Sequence, residues 1–438
     1  MLSRLFSEKP VNPGQTQDEH WLNRNVFAFG LTSFLSDFSH EMATAVLPQF
    51  MQSIGASAAI LGFIEGIADA LASFIKLGSG FHSDRIGHRK AWVVFGYALT
   101  GVAMVIFAYA FVWPLVLLGR LIGWLGRGIR GPLRDAMLAD SVRPHQRGKA
   151  FGFHRAYDTA GAIVGPLTAF WLLSLLSSHP AWARVITAWL PGGPDAAGWS
   201  FRVIFILTLV PGLLSAAAIA FLVTEKRRKA NHAIKFWDTL KNLPKDYRRF
   251  LVAVLIFGIA DFAPTLMILR ASTTLAASMG ILEAARMAAL LYMLRNVTYA
   301  IASFPIGALS HRFARTRYLA VGYAIAAVTF LGFAFVVPSL WWFMIFFALA
   351  GVFIAWEDTI EAVAVRDYVD TAVAGTAYGV LGVANGIGDL ASSLAVGLLW
   401  TAIGPAWAFG YAAVVGFCGA ALMARVPSRM GKVDNQLT

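Results

Sequence analysis

The chain has 438 residues, of which 58% are hydrophobic and 14% charged, where a soluble domain carries about 25% charged residues. That much apolar surface cannot be hidden inside a water-soluble globule of this length, which excludes a soluble multidomain enzyme and predicts a helical membrane protein. The net charge of +12 then belongs to loops facing anionic lipid rather than to a nucleic-acid interface. Cys418 is the single cysteine, so no disulfide framework or cysteine-built metal site is expected.

Residues 1–25 are polar, lack an apolar leader core, and read as a cytoplasmic N-terminal segment. Twelve apolar stretches follow, at roughly 26–51, 57–79, 91–111, 114–139, 150–176, 200–223, 249–271, 284–308, 317–337, 340–365, 375–401 and 404–424. The expected architecture is all-α, with twelve transmembrane helices in two six-helix bundles, 26–223 and 249–424. A basic linker, 224–248, joins them, and a tail, 425–438, follows. Alternate turns hold the cations: Arg85, Arg89 and Lys90, then Arg143, Arg147 and Lys149, then Arg312, Arg315 and Arg317. The turns at 52–56, 111–113 and 337–339 carry no charge, so the positive-inside rule predicts both termini in the cytoplasm. The Pro- and Gly-rich stretch 177–199 is then the largest external loop.

Ionisable residues inside spans cost about 2.5–3.5 kcal/mol each on insertion scales, which makes them candidates for function. Span one carries Asp37, His40 and Glu41 on one face. Asp37 and Glu41, four residues apart, are neighbours whose charges repel in a low dielectric, so this pair is the candidate proton site. Span two adds Glu65, Asp69 and Lys76. Span four carries Arg120, Arg127, Arg130 and Arg134 within a stripe about 80° wide, which must face other helices or a wet cavity. Near the inner end of span five lie His154, Arg155 and Asp158, expected to bridge to gating loops. The second half reverses the sign, with Glu357, Asp358 and Glu361 in span ten. Asp261, Arg295, Asn296, Asn385 and Asp389 are further cavity candidates, and Tyr292 and Trp356 can stack on a substrate or simply pack.

The chain also repeats itself. Gly80-Phe81-His82-Ser83-Asp84-Arg85-Ile86 is echoed by Gly307-Ala308-Leu309-Ser310-His311-Arg312-Phe313, a shift of 227, and Asp140 and Asp367 match at the same shift. Asp37-Phe38 answers Asp261-Phe262 at 224. Two parallel six-span halves are a known transporter arrangement. A shift of 227 sets Glu357 against Arg130 and Glu361 against Arg134. That suggests an ion pair between the halves that forms in one conformation and breaks in the other, worth about 4 kcal/mol at 4 Å before desolvation. A static network locking the bundle is the alternative.

On these residues the chain resembles the major facilitator superfamily over nearly its whole length. Gly80, Asp84, Arg85, Gly87 and Arg89 fit the family's loop between spans two and three, with His82 and His88 as departures. The resemblance implies that this loop latches the outward-facing state and that Arg134 and Asp158 sit among the gating residues. Arg120 resembles the arginine of a second family motif, although Trp124 stands where that motif has glycine. Gly152, Gly161, Gly165 and Pro166 in span five look like a pattern of proton-coupled exporters, whose last two glycines are Ala169 and Phe170 here. A close helix contact explains the same glycines whatever the transport direction.

The resemblance implies a monomeric, multi-pass carrier in a bacterial inner membrane, without a cofactor, that takes a small-molecule substrate and protons by alternating access. Asp37, Glu41 and Arg120 are the expected proton-coupling residues. Arg127, Arg130, Glu65, Asp69, Tyr292, Trp356, Glu357, Glu361 and Asn385 are the expected substrate-binding ones. Proton-driven efflux is the leading expectation. Two alternatives stay open: uptake of a small anionic metabolite or chelate by the span-four arginines, and a sensor that keeps the fold without transport. No phosphate-binding loop, H-E-x-x-H pair or G-x-S-x-G elbow occurs, so neither ATP-driven pumping nor hydrolysis is expected.

Overall fold

The structure, a computed structural model, describes residues 21–85, 88–178, 198–225, 243–369 and 374–428. The expected external loop and basic linker fall largely outside these residues, as do Gly87 and the side chains of Asp84 and Arg85 with Gly80. The described residues form helices and short connections, with no strand among them.

The twelve crossings are present, and three of them are broken. Span one is α1 (Arg24–Thr44) with α2 (Leu47–Ser53), span two is α3 (Ala58–Arg85), span three α4 (Lys90–Ala108) and span four α5 (Trp113–Asp140). Span five is α6 (Arg147–Ser178), and span six is α7 (Trp199–Leu207) with α8 (Leu209–Leu222). Span seven is α9 (Lys245–Gly258) with α10 (Pro264–Met279), followed by α11 (Ile281–Leu309) and α12 (Arg315–Phe335). Spans ten to twelve are α13 (Leu340–Tyr368), α14 (Ala374–Ile403) and α15 (Pro405–Arg425). Each break precedes a proline: Pro48, Pro211 and Pro264. Proline lacks an N–H and its ring collides with the carbonyl four residues back, so the helix restarts rather than continues. Span seven was expected over 249–271. It runs from Lys245 to Met279, because the helix resumes at Pro264 after the break.

Among the described residues, nine helical segments are by themselves long and apolar enough to cross a membrane. The other three crossings are span one with its ionisable face, span four with its arginines, and broken span seven. Between spans seven and eight a single residue, Gly280, makes the turn at φ +83°, a left-handed value that glycine adopts without a Cβ penalty. Gly55 makes the matching turn of the first half at φ +79°. At the uncharged-loop end Phe335, Trp341 and Trp407 stand 74%, 74% and 68% exposed, the aromatic belt expected at a lipid interface.

Packing follows a pseudo-twofold plan. Span one packs on five and six, and two and three pack on four; correspondingly seven packs on eleven and twelve, and eight and nine on ten. The halves meet where span two lies along eleven and span five along eight, with the outer part of span seven touching one and two. Glycines set the closeness. A Cβ on Gly62 would sit 2.0 Å from the Ser393 carbonyl oxygen, and one on Gly161 would sit 2.3 Å from that of Phe34.

One apolar cluster bridges both halves, including Met42, Phe50, Leu61 and Ile64 with Leu266, Met267 and Leu275. At the basic-loop end the first half keeps a separate cluster of its own, around Phe29, Val93, Tyr97, Leu133 and Ile219. The halves are therefore welded by hydrophobic burial at the uncharged end. That weld does not extend to the first half's basic end.

Candidate functional site

The charged residues of the spans converge on a layer between the halves. In the first half, helix α5 places a guanidinium near each of three neighbouring spans. Arg120 forks onto Glu65 of span two, Nη2 at 2.7 Å and Nε at 3.1 Å from the carboxylate. Both side chains are buried, at 2% and 3% exposure. Two parallel charge-assisted bonds in a dry site make this the most rigid polar joint of the layer. Arg127 donates to Asp37 of span one at 2.9 Å. Arg130 donates to the Ser36 hydroxyl at 2.6 Å and lies over the Tyr97 ring of span three, 3.9 Å from its centroid. Arg134 pairs with its own neighbour Asp135 at 2.9 Å.

Trp124 occupies the centre of this group. Arg120 and Arg127 approach its ring at 5.1 and 4.8 Å, and His40 lies against it with ring centroids 4.7 Å apart. The family pattern has glycine here; in this chain the indole fills the space and offers its π face to two cations. His40 is buried against that ring.

The second half answers with carboxylates. Glu357 and Asp261 of span seven lie within electrostatic range of each other. Glu361 accepts from the Tyr323 hydroxyl and, at 2.9 Å, from the amide nitrogen of Asn385. Asp358 accepts from the Tyr299 hydroxyl at 2.9 Å. Arg295 stands beside them, donating to Asn296 at 3.1 Å. Glu357 Oε2, Arg120 Nη1, His40 Nδ1 and Trp124 Nε1 are buried and make no hydrogen bond among the described residues. Buried polar atoms without a partner are costly, and these four lie on residues of this layer.

Several bonds cross from one half to the other. Tyr292 donates to Glu41 at 2.6 Å, and the Asn296 amide donates to the Ala162 carbonyl at 2.8 Å. Arg155 reaches Asp158 of its own half at 3.6 Å and Asp358 of the other at 3.3 Å, with Arg155 and Asp358 about half exposed. Asp69 of span two and Asp389 of span eleven lie within electrostatic range of each other and of Lys76.

The pairing expected between spans four and ten in one conformation is not made in this one. Among the described residues no ion pair joins Arg130 to Glu357 or Arg134 to Glu361; the ion pair between the halves is Arg155–Asp358. The register explains why. Gly96 abuts Arg130 between spans three and four, and Gly322 abuts Trp356 between spans nine and ten, both at a shift of 226 rather than 227. Trp356 is thus the counterpart of Arg130. It packs on Tyr318, ring centroids 4.7 Å apart, and Glu357 is rotated one residue, about 100°, toward span seven.

Tyr97 and Tyr323 were missed by the sequence reading. They belong to Gly96-Tyr97-Ala98 and Gly322-Tyr323-Ala324, a repeat at the same shift of 226 that marks both rings. Gly161 and Gly165 lie against the span-one backbone at Phe34, Phe38 and Met42, which brings span five beside the Asp37–Glu41 face. Ser33 there donates to Asp158 at 2.5 Å. Pro166 is buried within α6. Arg89 does not reach the other half among its described contacts. It pairs with Asp140 at the end of span four at 3.1 Å, and the second half repeats the joint as Arg315–Asp367. No group of three or more His, Cys, Asp or Glu residues suited to a metal occurs among the described residues.

Comparisons with known proteins agree with this architecture. The family model described as Major Facilitator Superfamily matches residues 29–294 and 250–436. An uncharacterized MFS-type transporter of Methanocaldococcus jannaschii is 30% identical over 96% of this chain and 99% of its own. A multidrug resistance protein, MdtH of Photorhabdus laumondii, is 24% identical over 48% of this chain and 46% of its own. Among solved structures, a bacterial homolog of the human lysosomal transporter Spinster, in an inward-facing and occupied conformation, superposes with a TM-score of 0.68. It shares 17% identity, with 91% of this chain and 95% of that one covered.

Proposed function

Because the chain belongs to the major facilitator superfamily, and is by that membership a membrane transporter rather than an enzyme, we propose that it exports a small organic solute in exchange for protons. The carrying observation is the bond from Tyr292 of span eight to Glu41 of span one, beside Asp37 held by Arg127. A carboxylate whose partner sits on the opposite half links its own protonation to the relative position of the halves: an anion holds the tyrosine, and a neutral acid holds it less strongly. Asp37 and Glu41 are the proposed proton carriers, and Arg120 fixes the frame through Glu65.

The substrate reading follows from charge. All four span-four guanidiniums already have protein partners, whereas Asp261, Glu357 and Glu361 outnumber the neighbouring Arg295, Asp358 being paired with Arg155 and Asp389 lying near Lys76. A cationic or weakly basic solute suits that side better than the anion expected of an importer. Glu357, with its unpartnered Oε2, Glu361 and Asn385 are its proposed contacts, with Asp69 and the Arg127–Trp124 stack proposed as the contacts from the first half. The weld at the uncharged end, with a separate first-half cluster at the basic end, supports an inward-facing state, and the loop cations support both termini in the cytoplasm. The efflux direction is favoured by the partial likeness to the multidrug resistance protein.

The test is flux in proteoliposomes with a library of organic cations. Uptake into the lumen of inverted-orientation protein, driven by an acidic lumen and abolished by a protonophore, supports antiport. Flux indifferent to the proton gradient, or binding without movement, overturns it.

A further inference from the structure

Helix α9 opens span seven at the basic-loop end, and its buried residues, Tyr247, Phe250, Ala253 and Val254, face the bundle. Arg248, Arg249 and Val252 fall on the opposite, exposed side. Helix α15 closes span twelve at the same end and packs against α9, with Met423 buried and Leu422 and Arg425 exposed. The two exposed sides bound a crevice of about 440 Å³, lined by Arg248, Arg249, Arg425, Val252, Leu422 and Pro427 among others. Its far wall is held in place: the Thr316 hydroxyl donates to the Val426 carbonyl at 3.0 Å and the Tyr368 hydroxyl to that of Pro427 at 2.8 Å.

Three arginines and several apolar side chains therefore line one crevice at the basic-loop end of this helix pair. Snorkelling explains one such arginine. It does not explain one cavity lined both by three arginines and by aliphatic side chains, the two chemistries that a phospholipid itself combines. Asp246 takes up part of the Arg249 charge, with the two groups 3.5 Å apart, and it is not among the lining residues.

We propose that this crevice is a binding site for an anionic phospholipid, its phosphate held by Arg248, Arg249 and Arg425 and its acyl chain lying along Val252 and Leu422. The occupant anchors the start of span seven to the end of span twelve from the lipid side. The site is separate from the central charged layer and does not depend on what the carrier transports.

The test is native mass spectrometry of the full-length protein in micelles doped with phosphatidylglycerol or with phosphatidylcholine of the same chains. The wild type should retain the anionic lipid at least fivefold more than the zwitterionic one. Arg248→Ala with Arg249→Ala and Arg425→Ala should lose that preference. A charge-matched control, Lys149→Ala with Arg312→Ala and Arg317→Ala, should keep it. Should the triple variant fail to fold, Val252→Trp leaves the three arginines in place and fills the crevice, and the same loss is expected. Equal retention of the two lipids by the wild type, equal loss in the control, an unchanged preference in the crevice variants, or displacement of the lipid by inorganic phosphate would each overturn the proposal.

Discussion

Tyr292 on span eight donates a 2.6 Å hydrogen bond to Glu41 on span one, so one side chain from each half meets in the charged layer. Close glycine contacts and apolar packing between the halves cannot respond to a proton, unlike the exposed Arg155–Asp358 pair. The Tyr292–Glu41 bond can as well, because one partner is ionisable.

Glu41→Gln and Tyr292→Phe should each lower proton-driven flux by about tenfold or more, the equivalent of about 1.4 kcal/mol in the step they bias. Solute exchange at equal pH on both sides should continue. Parallel measurement of gradient-driven flux and counterflow in proteoliposomes checks both, and normal gradient-driven flux in the two variants would show that the coupling lies elsewhere.

The buried fork between Arg120 and Glu65 is a matter of stability. Removing one partner leaves the other charge buried and alone, at a cost of about 3–5 kcal/mol. Glu65→Gln should therefore lower the melting temperature in detergent substantially. Glu65→Leu with Arg120→Met should regain most of the loss, since no orphaned charge remains.

Glycine contacts separate stability from conformation. Gly161 meets span one within its own half, so Gly161→Val should destabilise the protein outright. Gly62 meets Ser393 across the halves, so Gly62→Val should disfavour the conformation described here while leaving each bundle intact. The backbone N–H of Ala59 lies 3.0 Å from the Thr401 hydroxyl, which provides the readout. Ala59→Cys with Thr401→Cys in a Cys418→Ser background should cross-link readily, and much less once Gly62 is valine.

Arg155–Asp358 is the ion pair between the halves whose partners are about half exposed. Exposed pairs contribute about 0–1 kcal/mol and are weakened by salt. Arg155→Ala should leave the melting temperature nearly unchanged yet shift the balance of conformations. The exchange Arg155→Asp with Asp358→Arg should restore the balance, measured by cysteine accessibility at low and high ionic strength.

The number of crossings, the basic and uncharged ends and the duplication were legible because each rests on a local property. Run length sets a span, loop cations set a face, and a Gly-x-x-Ser-x-Arg pattern repeated at a shift of 227 sets the symmetry. The grouping of Arg120, Arg127 and Arg130 on one side of span four was equally local, following from helical geometry. The breaks at Pro48, Pro211 and Pro264 were visible as prolines, but three long apolar runs concealed that each crossing is built from two helices.

The partners of those arginines were decided only by the tertiary structure. The loop motif repeats at 227, whereas Gly96 on Arg130 and Gly322 on Trp356 repeat at 226. A one-residue difference turns a helix by about 100°, enough to put an indole where a carboxylate was expected and to aim Glu357 at Asp261. Apolar content and loop charge determine how often a chain crosses a membrane and which way it faces. Which acid meets which guanidinium depends on helix rotation and depth, and close glycine contacts between distant spans fix those in three dimensions.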